Sequence, residues 1–170
     1  RQEHCEVIIR FGDGRYTGYC VEKLLTPEYV VACSRSLSEG TSPLQLPEDV
    51  GNHVLLHDES IPAVDKRPSW SEWFRRAGVQ GVDAERSTRF SNGVLVHEAA
   101  LEGHGLALVI RQHIETEVAD GRLVVPFSLT LPSPYAYFLI TPRTATRQSV
   151  IKAFSEWMHD EINSQRSRMH

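Results

Sequence analysis

The side chains here that could do chemistry are few, and most of them fail on spacing. His97-Glu98-Ala99-Ala100-Leu101 begins like a zinc-protease helix, but Leu101 stands where a second histidine must sit. Without a His pair at i,i+4 a metal has no clamp, so His97 reads as a helix-surface residue. His53 and His57 are four apart. On a strand that is about 13 Å, too far for both to hold one ion. On a helix they could hold one, yet the intervening Val54-Leu55-Leu56 favours a strand. Gly12-Asp13-Gly14-Arg15-Tyr16-Thr17-Gly18 follows a strand-like run. Its last glycine is one position late for a dinucleotide loop and no apolar-periodic helix follows, so it reads as a hairpin turn. There is no G-x-S-x-G elbow and no P-loop. Cys5, Cys20 and Cys33 are odd in number, without metal or redox spacing. They read as reduced, partly buried thiols of a cytosolic protein. The expectation is a protein that is not an enzyme, with no catalytic residue, metal or cofactor.

What survives is a helix N-terminus. Ser91 and Asn92 are good N-cap types just before an apolar-periodic run. Val94 and Leu95 occupy the two possible N3 positions, so there is no capping box. The first-turn N–H groups and the positive end of the dipole suit a carboxylate or another anion. Ser91 and Asn92 could add contacts, or one of them could simply cap the helix.

The elements around that turn alternate helix and strand from Phe90 to Phe127. Leu95, Val96, Ala99 and Ala100 pair at i,i+4 on one helix face, and Gly103 and Gly105 suit its stop. Leu106-Ala107-Leu108-Val109-Ile110 is a continuous apolar run, as in a strand covered on both faces. A second helix over about Arg111 to Ala119 leads through Asp120-Gly121 to a strand at Arg122–Val125. This is α/β patterning, and in such folds ligands bind at strand ends like the one before Ser91.

Upstream, Cys5–Phe11 is strand-like, and Val21–Ser34 is extended but broken by Pro27 into two short strands. Ser36–Asp49 reads as a loop with a short helix, His53–His57 as a strand, and Pro62–Pro68 as loop. Ser69 and Glu72 form a capping box for a helix with Trp70, Trp73, Phe74 and Ala77 on one face. Asp83–Phe90 and Tyr135–Ile140 read as strands. In the last helix Val150, Ile151, Phe154, Trp157, Met158 and Ile162 make a wide apolar stripe at 3.6 spacing.

The totals agree with a globular protein: 170 residues, 41% hydrophobic and 24% charged. A formal net charge of −4 gives no basic footprint for nucleic acid. No apolar run approaches the ~18 residues of a membrane span and no signal peptide is visible, so a cytoplasmic protein without membrane contact is expected.

Four stretches in order carry a family likeness. Val7-Ile8-Ile9-Arg10-Phe11-Gly12-Asp13-Gly14 comes first, then Arg89-Phe90-Ser91-Asn92. Ala99-Ala100-Leu101-Glu102-Gly103-His104-Gly105-Leu106-Ala107-Leu108 follows, then Gly121-Arg122-Leu123-Val124-Val125-Pro126-Phe127. Together with Pro-Ser-Pro-Tyr-Ala-Tyr-Phe-Leu at 132–139, they resemble the effector-binding domain of LysR-type transcriptional regulators. The similarity is to the subgroup of the glycine-cleavage activator and the β-lactamase regulator.

The resemblance implies an α/β, type 2 periplasmic-binding-protein-like fold: two Rossmann-like lobes joined by two crossing strands, near Thr26–Cys33 and Pro132–Ile140. The first lobe would be residues 1–32 with 133–170, the second residues 33–132. It implies a small effector in the cleft between lobes, with Arg10, Phe11, Gly12, His57, Asp58, Ser91, Asn92 and Tyr137 as contacts and Tyr135 as a weaker one. It implies DNA binding only through a winged helix-turn-helix that this sequence lacks, and a homodimer for the full-length protein. The first strand, first helix and second strand of the first lobe are also missing, so the chain reads as a fragment incomplete at its N-terminus. Two rival readings are a solute-binding protein of the same architecture and an enzyme of unassigned class.

Overall fold

The computed structural model describes residues 7–59, 68–84, 87–144 and 148–168, with side chains of the last helix to residue 164. Cys5 and the expected loop at 62–67 lie outside the described residues. The chain divides into two compact units, Arg1–Pro27 with Pro134–His170, and Glu28–Ser133.

The first unit carries β1 (Ile8–Gly12), β2 (Tyr19–Leu25), and, from the far end of the chain, β9 (Ala136–Pro142). They form an antiparallel sheet in the order β1-β9-β2, so the central strand comes from the C-terminal part of the sequence. Directly paired residues share a face: Phe11 lies opposite Tyr137, and Arg10 opposite Phe138. The helix α5 (Gln148–Arg168) follows. It is tied to β2 by polar groups: Ser155 Oγ donates to Glu22 Oε2 at 2.7 Å, and His159 Nε2 donates to Glu22 Oε1 at 2.6 Å. The apolar stripe expected along α5 is only partly covered. Val150 and Trp157 are exposed, and Trp157 stacks on Phe154 rather than on the sheet.

The second unit opens with β3 (Glu28–Ser34). Pro27 breaks the extended stretch as expected. The division between units falls at that proline rather than at residue 33, because all of β3 is hydrogen-bonded into the second sheet. A short helix α1 (Arg35–Ser38) and a 3-10 turn (Pro47–Asn52) lead to β4 (Leu55–Asp58). Then come α2 (Trp70–Ala77), β5 (Ser87–Phe90), α3 (Gly93–Leu101) and β6 (Leu106–Ile110). The helix expected from Arg111 is split: a 3-10 turn (Arg111–His113) precedes α4 (Glu115–Ala119). The strands β7 (Leu123–Val124) and β8 (Leu131–Pro132) complete it. The sheet order is β5-β4-β6-β3-β7, with β8 beside β3. β4 runs parallel to β5 and β6, and β3 antiparallel to β6 and β7.

Both faces of this sheet are covered, and alternate residues along each strand serve alternate cores. Val31, Cys33, Leu55 and Leu106 pack with Trp70, Trp73 and Phe74 of α2. Val30, Ala32, Leu56 and Ala107 pack with Val96, Ala99 and Ala100 of α3. Leu95, expected on the buried face of α3, is about half exposed. Both helices end on a glycine in the left-handed region, Gly78 and Gly103. The next residue's N–H closes a six-residue loop in each: Val79 donates to Phe74 O, and His104 to Ala99 O. At the start of α2, Ser69 Oγ accepts from Glu72 N–H at 3.2 Å, half of the expected box. The Glu72 carboxylate instead turns to Arg75 and Arg76.

Candidate functional site

In a parallel pair the strand ends lie side by side, so residues far apart in sequence meet at one edge. Here Asp58 is paired with Phe90. The C-terminal end of β4 therefore stands next to the turn Ser91-Asn92 that starts α3. Asn92 is the N-cap: its Oδ1 accepts from Val94 N–H at 2.8 Å, and its carbonyl accepts from Leu95 N–H at 3.1 Å. One first-turn donor that the sequence left open is thus taken by the cap. Asp58 fills the space beside the next residue. A Cβ on Gly93 would stand 2.8 Å from Asp58 Oδ2, so a larger residue would push the carboxylate aside. A carboxylate against the positive end of α3 is the favourable arrangement for a helix dipole. The edge therefore carries one built-in negative charge, with the Ser91 hydroxyl exposed beside it.

His57 does not join Asp58, because neighbours on a strand face opposite ways. Leu56 and Asp58 are on the α3 side. His57 is on the other, where its Nε2 donates to Ala84 O at 3.1 Å. Trp70 Nε1 donates to Leu56 O at 3.2 Å, locking α2 onto that same strand end. Glu59 N–H donates to Phe90 O at 2.7 Å, and Arg89 pairs with Glu59 at 2.7 Å, extending the β4–β5 tie beyond the sheet.

At the opposite edge of these strands lies a cavity of about 440 Å³ lined by Gly51, Asn52, His53, Val54, Ser87 and Thr88. The His53 ring there donates to Ser42 O at 2.8 Å. The two histidines of the His53–His57 pair thus engage different carbonyls, and no group of three potential metal ligands exists among the described residues.

In the first unit, Arg10, Phe11 and Gly12 are consecutive on β1, and they too split between faces. Phe11 packs on Tyr137 with ring centroids 4.9 Å apart and on Tyr135 at 5.7 Å. Burial pushes the Tyr137 phenol above its usual pKa. Arg10 is on the other face, its guanidinium 6.0 Å above the ring of Tyr16. Tyr16 is edge-on to Phe138, and its hydroxyl lies close over Gly12, where a Cβ would displace it. Of the eight residues expected to touch an effector, three (Asp58, Ser91 and Asn92) gather at one strand edge, and Phe11 and Tyr137 form an aromatic pair. Arg10 and Gly12 are held by Tyr16, and His57 by Ala84. Tyr16 carried no signal as a site residue beyond its place in a turn. His97, read as a surface residue, has its Nε2 buried without a hydrogen-bond partner.

An α/β sheet with a polar, cap-lined edge at the ends of its parallel strands is a common setting for ligand binding. Residues 1–163 match the family model described as the LysR substrate binding domain, and the chain belongs to that family. It is 34% identical over 153 residues to the glycine cleavage system transcriptional activator of Escherichia coli K12, covering 90% of this chain and 48% of that protein. It is 31% identical over 157 residues to the HTH-type transcriptional activator AmpR of Rhodobacter capsulatus, covering 92% and 50%. The chain thus spans about half the length of the curated relatives it matches. The effector domain of AmpR from Pseudomonas aeruginosa has a similar fold, with a TM-score of 0.72 at 24% identity over 97% of this chain and 76% of that one. The effector binding domain from Citrobacter freundii AmpR gives 0.73 at 21% identity, covering 94% and 75%. The fold is accordingly that of LysR effector domains, as the sequence resemblance implied. The relatives are regulators of transcription, not enzymes.

Proposed function

We propose that this chain is the ligand-sensing part of a bacterial, cytoplasmic LysR-type transcription regulator. In this reading a small effector binds at the edge formed by Asp58, Ser91 and Asn92. The observation that carries it is the meeting of the Asp58 carboxylate with the capped start of α3 at the ends of two parallel strands. An anionic group of the effector would take the exposed Ser91 hydroxyl, while Asp58 favours a positive group beside it. A small molecule bearing both signs suits that pair.

The full-length protein, in the same reading, is a homodimer that meets DNA through a winged helix-turn-helix outside this sequence. The effector acts by preferring one conformation of the domain, since binding both states equally would shift nothing. Coupling of this kind is typically ~1–3 kcal/mol.

A thermal-shift screen with glycine, other α-amino acids and small aromatic carboxylates tests the site. A ligand at a hundred times its Kd stabilises the chain by about 2.7 kcal/mol. The best probe should lose at least tenfold in calorimetric affinity in Asp58→Asn and several-fold in Ser91→Ala, with both variants folded. Unchanged affinity in both removes this edge from the reading.

A further inference from the structure

Helix α3 has a second polar contact, at its middle. His97 Nε2 is buried and has no hydrogen-bond partner. Facing it, Glu117 Oε1 of α4 stands 3.7 Å away, too far for a hydrogen bond and close enough for an ion pair. The same oxygen lies 3.5 Å from Arg122 Nη2, and that guanidinium also reaches Asp120 at 3.8 Å. His97 and Glu117 side chains are only 24% and 17% exposed, so this contact is shielded more than a surface pair.

The strands beneath α3 present Val30, Ala32, Leu56 and Ala107, none of them titratable. The 3-10 turn contributes His113. Burial holds its imidazole below the usual pKa, and the nearby charge of His97 adds to that. A proton on one histidine therefore opposes a proton on the other.

We infer that His97, Glu117 and Arg122 form a proton-operated latch between α3 and α4. With His97 neutral, no charge faces Glu117 across the 3.7 Å gap, and the Glu117 carboxylate is paired with Arg122. With His97 protonated, the imidazolium donates to Glu117, the gap closes, and α4 is fixed to the helix that starts at Asn92. The step is one proton taken up from solvent at His97, with no other bond made or broken. The inference stands whether or not the Asn92 end of α3 binds an effector.

Hydrogen exchange of the 170-residue chain reads the latch. The amides to follow are Val118, Asp120 and Arg122, which donate to Ile114 O, Thr116 O and Glu117 O. Their protection, corrected for intrinsic rates and referenced to β3 amides, should be about threefold higher at pH 5.5 than at pH 7.5, the scale of one partly shielded ion pair. The gain should vanish in His97→Gln and in Glu117→Gln, and grow in His113→Gln, where the opposing histidine is gone. His97→Gln decides alone if Glu117→Gln fails to fold. Equal referenced protection at both pH values in the wild type and in His113→Gln overturns the inference. So does a gain that persists in His97→Gln.

Discussion

The two units solve the same problem, a twisted sheet with apolar faces, in opposite ways. The sheet of residues 28–133 is covered on both sides, and Val30 to Cys33 are fully buried in turn against α3 and α2. The three-stranded sheet of the other unit leaves Ile9, Tyr19 and Val21 exposed, and its helix exposes Val150 and Trp157. That helix is held through a carboxylate, Glu22, rather than through a continuous apolar seam. Area removed from water is insensitive to pH and adds up along a strand, whereas a hydrogen-bonded carboxylate contributes little and titrates. The difference teaches where the site can be rigid. Asp58, Ser91 and Asn92 stand on the unit whose strands and helices are fixed from both sides.

The sharpest way to break this comparison is at its two tryptophans. Trp73 is fully buried among Trp70, Phe74 and Phe127. Trp73→Ala should cost about 3–5 kcal/mol in urea unfolding. Trp157→Ala, at an exposed position, should cost about 0.5 kcal/mol or less. Similar losses at both sites would mean that α5 is packed as tightly as α2.

Glycine substitutions sharpen the same contrast. A Cβ on Gly105 would press on the Val54 carbonyl, a backbone atom that cannot swing away. Gly105→Ala should lose about 2 kcal/mol or more through a shift of β6 against β4. Gly18 in the other unit has positive φ but open space around it. Gly18→Ala should cost only the left-handed strain, about 1 kcal/mol.

Acid separates the units further. His113 is held below its usual 6.5, first by burial and then by His97. Its folded pKa is depressed, so the unfolded chain binds the proton more readily. The stability it contributes is present above pH 6.5 and is lost as pH falls from there toward the folded value. Unfolding of His113→Gln followed from pH 7.5 to 5.5 should show a flatter slope than the wild type. Glu22 is held below its usual 4.5, chiefly by the Ser155 hydroxyl, with His159 adding to it. Its contribution is present above pH 4.5 and lost as pH falls through the lower folded value. Exchange at α5 amides should therefore speed up only as pH falls below 4.5, a lower window than that of His113, and Glu22→Gln should show fast α5 exchange already at neutral pH. A simultaneous loss of both would erase the distinction between the units.

Much of the second unit was legible in the amino-acid sequence. The apolar run at Leu106–Ile110, the Ser69 cap and the glycine stops each follow from local rules that tertiary structure did not override. The resemblance groups Arg10, Phe11 and Gly12 as contacts of one ligand, whereas the period of two along a strand sends Arg10 and Phe11 to opposite faces. The contacts that define the site were not legible. Asp58 meets Gly93 only because β4 and β5 are adjacent and parallel, which no local pattern records. Glu22 meets Ser155 across 133 residues. The stripe on α5 shows the limit from the other direction, for periodicity reveals an apolar face without revealing what covers it.

The two edges of the β4–β5 pair give the most direct test of the central claim. Amide chemical shifts of the 170-residue chain, titrated with the best probe from the amino-acid and carboxylate screen, report both edges at once. The largest, saturable changes are expected at Asp58, Ser91, Asn92, Gly93 and Val94. Changes centred instead on Asn52, His53, Ser87 and Thr88, around the cavity at the opposite edge, would contradict it.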